Sequence, residues 1–398
     1  MAPTIITGTE SDANFPSVQT NQIDVDEDIM LLEGSKSLFY PIVMRTTTKA
    51  AHGQKKEWLE DEVVPVYTAA AQSFTTQTSF LVTAGTGAYF SVNDQIRDEL
   101  TGESMLVTGV ATDTLTVTRG WGSVASTSSS GATDGIIRLG NVSPQGASYP
   151  TIKDTQVVGQ YNYQQISRKS LGLVNTATKE NFRGENDPLA YKQGKALLDI
   201  VRQTEMNFFM GRRNSSTAAT SNAGTQSQLS MGGVLDYITT NVSSTATTLT
   251  QDAWETWLTT KAFAHGDIGG NKLVVCSPIV AQRINAYPRS NIAPPSTDIN
   301  KWGLNITKYQ FALGTVDIFV HPDWRQFAGA AASNTSLGGT AICLDMSCIY
   351  MSGLRPLALL ENRQNPGDDQ HVDEYLQELT MVFKQERRHA KITGVTAP

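Results

Sequence analysis

The chain has 398 residues, of which 39% are hydrophobic and only 17% charged, and it carries a formal net charge of -7. That length suits about two or three domains, and the acidic balance argues against a tight duplex binder, which needs a clustered basic face. The three widely spaced cysteines, Cys276, Cys343 and Cys348, argue against a disulfide framework or structural zinc, and no apolar run reaches the ~18 residues needed to span a bilayer.

Met1 to Ser35 has no Lys or Arg and holds an acidic cluster at Asp24, Asp26, Glu27 and Asp28. It reads as an extended arm with one weak apolar run, Ile29 to Leu32, and shows neither the basic nor the apolar region of a signal peptide. Leu38 to Arg45 is a short apolar element, and Lys55 to Val64 reads as one strand of a long hairpin. From about Pro65 to Pro150 short alternating runs are divided by turn signals. Ser104 to Val110 and Thr114 to Thr118 flank a tight turn and predict a hairpin, while Phe80 to Val82 and Gly135 to Leu139 predict further strands. This stretch reads as a small all-β barrel or sandwich with a Ser/Thr-rich loop at Gly122 to Gly131.

Val157 to Lys169 predicts a returning strand. Asp187 as N-cap, Pro188 at the first helical position and Gly211 past the end then bound a helix of ~22 residues, roughly 33 Å long. Leu197, Ile200, Val201, Thr204 and Phe208 mark its apolar face. Ser215 to Ser230 reads as a loop, Asp252 to Phe263 as a helix, Leu273 to Cys276 as a buried strand, Pro278 to Tyr287 as a helix and Asn291 to Asn300 as a surface loop. Val316 to Val320 and Ala341 to Leu344 are further strands, and Leu344 to Val395 holds two long ones. Interleaved helices and antiparallel strands make the class α+β.

Catalytic signatures are missing. His52, His265, His321, His371 and His389 lack the paired spacing of metal ligands, so no metal, cofactor or catalytic residue is assigned. Gly85-Thr86-Gly87 lies in β-rich sequence and reads as a turn rather than a phosphate cradle. The sharpest enzymatic pattern is Cys276 with His265 or His321, and a buried structural cysteine fits it better. Lys384, Arg387, Arg388 and Lys391 read as a solvated face or an intersubunit salt-bridge rim. Five of the six tryptophans are core candidates; Trp58 is expected to lie exposed on the hairpin.

Several motifs follow one another in order: Trp58-x-x-Asp61, Asn162-Tyr163-Gln164-Gln165-Ile166, the long helix, Gly314-Thr315-Val316, Leu344-Asp345-Met346, Leu354-Arg355-Pro356 and Glu374-Tyr375-Leu376. This order resembles the major capsid proteins of tailed phages with the Hong Kong 97-like fold, in a subfamily with a β-domain inserted in the extended hairpin. The resemblance implies an N-terminal arm (1–49), an extended hairpin loop (50–64 and 151–170), an inserted β-domain (65–150), a peripheral domain (171–230 and 341–398) with a spine helix at 187–211, and an axial domain (231–340). It also implies a virion protein, assembled in the host cytoplasm, that builds pentamers and hexamers of an icosahedral head around double-stranded DNA. Its partners would be copies of itself, scaffolding and portal proteins, cement or decoration proteins, and packaged DNA through weak non-specific contact, with no membrane. Lys55, Lys56, Trp58, Asp61, Tyr163, Gln165, Arg387 and Arg388 are the expected intersubunit residues. The alternatives are an encapsulin-like shell around cargo enzymes, separable by nucleic-acid content, and a tail or fibre protein, suggested by the Ser/Thr-rich insertion.

Overall fold

The computed structural model describes residues 39–45, 48–122, 125–126, 130–150, 152–179, 187–216, 227–244, 248–265, 270–287, 306–327 and 337–396. The expected arm up to residue 38 and the loop at 291–300 lie outside these, as do parts of the loops at 122–131 and 215–230. The chain divides into two compact units, Leu59–Gln160 and the remainder.

In chain order the elements begin with α1 (Phe39–Arg45), β1 (Lys49–Ala50) and β2 (Lys55–Glu60). Six strands follow: β3 (Tyr67–Ala69), β4 (Ser79–Leu81), β5 (Asp94–Asp98), β6 (Ser104–Ala111), β7 (Thr114–Thr118) and β8 (Gly135–Asn141). Then come β9 (Val158–Tyr163), β10 (Gln165–Val174), α2 (Pro188–Met210), β11 (Asn214–Ser216), β12 (Gln228–Ser230), α3 (Val234–Tyr237), β13 (Val242–Ser244), α4 (Gln251–Trp257), β14 (Asn271–Cys276) and α5 (Pro278–Asn285). The chain ends with β15 (Ile306–Phe311), β16 (Gly314–Val320), β17 (Ala341–Leu344), β18 (Ile349–Leu360), β19 (Gln370–Phe383) and β20 (Ala390–Thr393).

The Leu59–Gln160 unit contains a six-stranded sheet in the order β3-β8-β5-β6-β7-β4. A bridge between Ala70 and Val82, with Ala71 N–H donating to Leu81 O at 2.8 Å and Thr83 N–H to Ala69 O at 2.9 Å, joins its two outer strands. The insertion is therefore a closed barrel. Its strands alternate as closure demands: Leu115 and Val117 point inward with Phe80, Ile96, Met105, Val107 and Ile136, and Phe74 stacks on Phe80 at 4.2 Å between ring centroids. Thr112 adopts the left-handed conformation (φ 52°) in the tight β6–β7 turn. The neighbouring Asp113 carboxylate accepts the N–H groups of Gly85 and Gly87 at 2.9 and 3.0 Å. The Gly-Thr-Gly turn thus holds a side chain of its own unit. The Ser/Thr-rich loop is partly anchored: Ser126 N–H donates to the buried Glu103 carboxylate at 3.0 Å, and Ser130 is buried.

The larger unit is built on two sheets. One has the order β13-β20-β17-β14-β16-β15. Leu273 and Val275 of β14 share one face with Ile342 and Leu344 of β17, while Val274 and Cys276 share the other with Ala341 and Cys343. Both faces are covered by apolar cores, which is why Leu273 to Cys276 is an unbroken apolar run instead of an alternating one. The second sheet runs β1-β18-β19-β10. Along β19, Leu379, Met381 and Phe383 enter the core that also holds Phe208 and Phe209 of α2.

The long helix starts as expected. The Asp187 carboxylate accepts the Leu189 and Ala190 N–H groups at 3.1 and 3.0 Å, and Pro188 is its first residue. Its buried face is Ala196, Ile200, Thr204, Glu205, Phe208 and Phe209, whereas Leu197 is exposed, so the expected stripe is turned slightly. Gly211 is not a left-handed cap, since its φ is -53°. A Cβ there would lie 2.5 Å from both Asn207 O and Met231 O, and one on Gly233 would lie 2.6 Å from Asn207 O. These glycines let the helix exit and the 231–233 segment touch backbone to backbone, with Gly233 N–H donating to Gly211 O at 2.8 Å.

Gly233→Ala is expected to lower stability by about 1–3 kcal/mol through overpacking. Gly194→Ala, in the same helix with nothing within 4 Å of its Cβ position, is expected to raise stability by up to about 1 kcal/mol. Calorimetric unfolding of the two variants checks the contrast.

Candidate assembly surfaces

The motif Asn162 to Ile166 was expected within a single strand but contains a break. β9 ends at Tyr163, β10 begins at Gln165, and Gln164 N–H donates to Gln54 O at 2.8 Å. Asn162 is fully buried beside that break. Its Nδ2 donates to Gly232 O at 3.1 Å and Met381 O at 2.8 Å, and its Oδ1 accepts Gly232 N–H at 2.8 Å and Tyr163 N–H at 2.9 Å. One amide therefore ties β9 to the segment after β12 and to β19, using both donors and both acceptor sites. Gln165 adds to the same junction, with Oε1 accepting Met231 N–H at 3.2 Å.

The other expected interface residues divide into inward and outward groups. Trp58 is corrected: it is only 6% exposed and packs on Tyr237 with ring centroids 6.0 Å apart. Strand alternation explains this, because Lys55, Glu57 and Leu59 take the open side and Trp58 the covered one. Lys55 is exposed, pairs with Glu57 and lies 4.2 Å from the centre of the Tyr161 ring; Lys56 is half-buried. Tyr163 is half-buried, edge-on to Tyr161 at 5.4 Å. Asp61 is exposed, and its Oδ1 accepts Thr155 Oγ1–H at 3.0 Å.

Arg387 and Arg388 sit on a short 3-10 turn between β19 and β20. Arg387 is exposed and its carbonyl accepts Asn241 Nδ2–H at 2.6 Å. The Arg388 guanidinium lies 3.2 Å from Asp345 Oδ2, and its carbonyl accepts the buried Lys272 ammonium at 2.8 Å. Lys391 donates to Leu235 O at 3.0 Å. Much of the expected basic rim therefore serves internal contacts. Beside it His389 is buried, with Nδ1 accepting Asp345 N–H at 3.2 Å, and burial pushes its pKa down to about 4.

The outward group gains members that spacing did not mark. Leu59, Val63 and Val66 on the outgoing segment, and Tyr149, Ile152, Val157 and Val158 on the returning one, are all at least half exposed, Val63 at 91% and Ile152 at 87%. Residues 61–66, 147–150 and 152–157 belong to no helix or strand. These apolar side chains stand largely in water in the single chain. The signal in the sequence was Val63-Val64 and Val157-Val158 bracketing a β-rich stretch, read there only as strand.

The chemistry of the remaining candidates is structural. Cys276 and Cys343 are fully buried, and burial pushes both thiols up to about 12. A thiolate nucleophile is therefore not formed at Cys276 near neutral pH. His321 lies against Glu205, with Nε2 2.6 Å from Oε1. Among the described residues no cluster of three or more His, Cys, Asp or Glu is arranged to hold a metal ion, and no helix is long and apolar enough to cross a membrane.

The family described as SU10 major capsid protein matches residues 6–396. The chain belongs to that family. No curated protein sequence matches it. Among solved structures it is similar to the capsid of a native GTA particle, at 8% identity over 98% of this chain and 100% of that one with a TM-score of 0.50. It is also similar to the Mycobacterium phage Ogopogo structure, at 10% identity over 94% and 97% with a TM-score of 0.48. A third is the Gordonia phage Cozz structure, at 11% identity over 99% and 97% with a TM-score of 0.45. The fold is the mixed α+β, Hong Kong 97-like one, and the protein is a major capsid protein, a self-associating component of the phage virion.

In this capsid subunit Asn162 is an internal fastener, so Asn162→Ala is expected to destabilise the isolated subunit by on the order of 3 kcal/mol, because four backbone groups lose their partner; chemical denaturation measures this. His389 supplies a second test. Its folded pKa lies below the ordinary value of 6.5, so the unfolded chain binds the proton more tightly. Its contribution to stability is fully present above about pH 6.5 and fades as the pH falls toward 4. His389→Asn, whose Oδ1 can accept Asp345 N–H, is expected to flatten the stability profile in that window.

Proposed function

We propose that this chain builds the pentamers and hexamers of an icosahedral head around double-stranded DNA, and that the exposed apolar residues on segments 59–66 and 149–158 are its principal contact with neighbouring copies. The observation that carries this reading is the set Leu59, Val63, Tyr149 and Ile152, each more than 70% exposed in the single chain. Fully burying a Val, Leu or Ile side chain gives about 1.5–3 kcal/mol. Three such residues and Tyr149, repeated around a ring, outweigh the marginal energy of exposed ion pairs such as Lys55–Glu57.

The remaining parts follow the same reading. Residues 1–49 act as an arm, 50–64 and 151–170 as the extended hairpin loop, and 65–150 as an inserted domain on the outer surface. Residues 187–211 form the spine of a peripheral domain (171–230 and 341–398), and 231–340 form the axial domain. Scaffolding, portal and cement proteins are its further partners. The net charge of -7 suits a wall that touches packaged DNA weakly and does not grip it. The subunit performs no catalysis, and its chemistry is adhesion.

Val63→Asp with Ile152→Asp is expected to abolish shell formation. The unfolding midpoint of the free subunit should change little, because surface substitutions shift stability by only about 0.5 kcal/mol. Negative-stain microscopy and calorimetry on the same preparation read both. Intact shells from the double variant would overturn the contact assignment, and a nucleic-acid-free shell filled with a cargo enzyme would favour the encapsulin-like alternative.

A further inference from the structure

The β1-β18-β19-β10 sheet ends on one side at β10, a strand of 10 residues paired along its whole length with β19. In an edge strand the backbone groups of alternate residues point away from the sheet. In β10 these belong to the even-numbered residues. Val372, opposite Gly172, turns its own C=O to Arg363 N–H at 2.7 Å and its N–H to Gln364 Oε1 at 3.4 Å, away from β10. Gly172 therefore faces outward, and its carbonyl accepts the Lys192 ammonium at 3.1 Å. Thr178 N–H closes on Val174 O at 3.3 Å and ends the edge. Among the described residues no other hydrogen bond reaches the outward backbone groups of Ile166, Arg168, Ser170 and Gly172.

A bare edge recruits an extended strand that meets it, and lysine or arginine along it is a common protection. Here both charges are engaged within the subunit. Arg168 pairs with Glu374 of β19, with Nη2 2.8 Å from Oε2, and Lys169 pairs with Asp199 of α2. Leu171 packs on α2, so the even-numbered side chains lie on the other face of the sheet. There Ile166 and Val174, near the two ends of the strand, are 50% and 53% exposed.

We propose that β10 pairs with β10 of a second copy about a two-fold axis at Ser170, joining their two four-stranded sheets into one. The chain is a self-associating capsid subunit, so another copy is the strand that this edge meets. The sequence of β10 suits such a pairing. Outward groups must oppose outward groups, which matches even-numbered residues with even-numbered ones. Centring on Arg168 sets arginine against arginine, and centring on Lys169 sets lysine against lysine. Centring beyond Ser170 shortens the overlap. Centring on Ser170 sets it against itself, Arg168 against Gly172, Lys169 against Leu171 and Ile166 against Val174. No like charges are opposed, glycine leaves room for the guanidinium, and the apolar ends meet each other. The interface is isologous. It adds a second contact to the apolar one on segments 59–66 and 149–158 and does not depend on it.

Cysteine cross-linking tests this on the full-length chain, in shells or in whatever oligomer the concentrated chain forms. Cys276, Cys343 and Cys348 are buried and do not compete. In Ser170→Cys the two thiols sit on the axis, where opposed Cα atoms about 5.5 Å apart lie within reach of a disulfide. Copper-phenanthroline oxidation is expected to give about tenfold more dimer on non-reducing gels than in Val174→Cys, whose copies lie roughly 26 Å apart in this register. Adding Gly172→Pro to Ser170→Cys removes an outward N–H and no bond to β19, so the unfolding midpoint should hold while the dimer falls to the Val174→Cys level. Absence of a Ser170→Cys dimer, equal yields from the two cysteine variants, or a Gly172→Pro chain that cross-links as its parent does would each overturn the pairing. The two cysteine variants decide the matter even where Gly172→Pro fails to fold. Shells that form without cross-linking at 170 would reject this interface and leave the icosahedral reading standing, and a dimer at 170 without shells would do the reverse.

Discussion

The larger unit depends on a single constraint. At the end of the long helix the 231–233 segment comes against the helix backbone, the last residues of β19 pack beside them, and every backbone polar group buried there must find a partner. Glycine at 211 and 233 allows the approach, and the amide of Asn162 supplies the partners. An unpaired buried N–H or C=O costs as much as a lost hydrogen bond. The position therefore demands a short side chain that both donates twice and accepts twice, and asparagine meets that demand. The hairpin strands, the helix and the C-terminal sheet inherit their mutual placement from this point.

Around that junction the two sheets divide the work. In the β13-β20-β17-β14-β16-β15 sheet the central strands β14 and β17 are covered on both faces, and there Leu273 to Cys276 and Ala341 to Leu344 are unbroken apolar runs. The β1-β18-β19-β10 sheet instead alternates along β19 between core residues such as Met381 and flanking residues such as Glu374 and Glu378, which pair with Arg168 and Arg355. β20 and the turn at Arg387 and Arg388 join the first of these sheets to the end of β19, and the buried Lys272 ammonium is held there by three carbonyls in place of a carboxylate. Burial lowers its pKa, as it does for His389. The link between the sheets is thus made of polar groups held away from water, which ties its geometry to a narrow set of protonation states.

Much of this was legible in the sequence because the signals were local. Asp187 and Pro188 announced the helix start, Thr112-Asp113 announced a turn, and the apolar run before Cys276 announced a buried strand. What was not legible depended on contacts far apart in the chain. Gly211 looked like a helix terminator because glycine so often is one, yet its need arises from Met231 and Asn207. Trp58 looked exposed because the hairpin was pictured as free of the core, and Tyr237 covers it. Glu205 and Asn162 carry no local mark at all: each is a polar residue inside an otherwise regular element, three of the four hydrogen bonds of the Asn162 amide reach groups 70 to 219 residues away, and the His321 ring beside Glu205 lies 116 residues away. The exposed apolar residues of 59–66 and 149–158 were visible as letters, but only the fold showed that nothing in their own unit covers them.

The closure of the inserted barrel has a consequence for a protein present in many copies on one particle. An open sheet offers a row of unsatisfied N–H and C=O groups that recruits any extended strand it meets. The bridge from Ala70 to Val82 and its flanking hydrogen bonds instead pair the two outer strands of this barrel with each other. A copy that meets this barrel therefore finds its outer strands already paired and is not recruited into a shared sheet there.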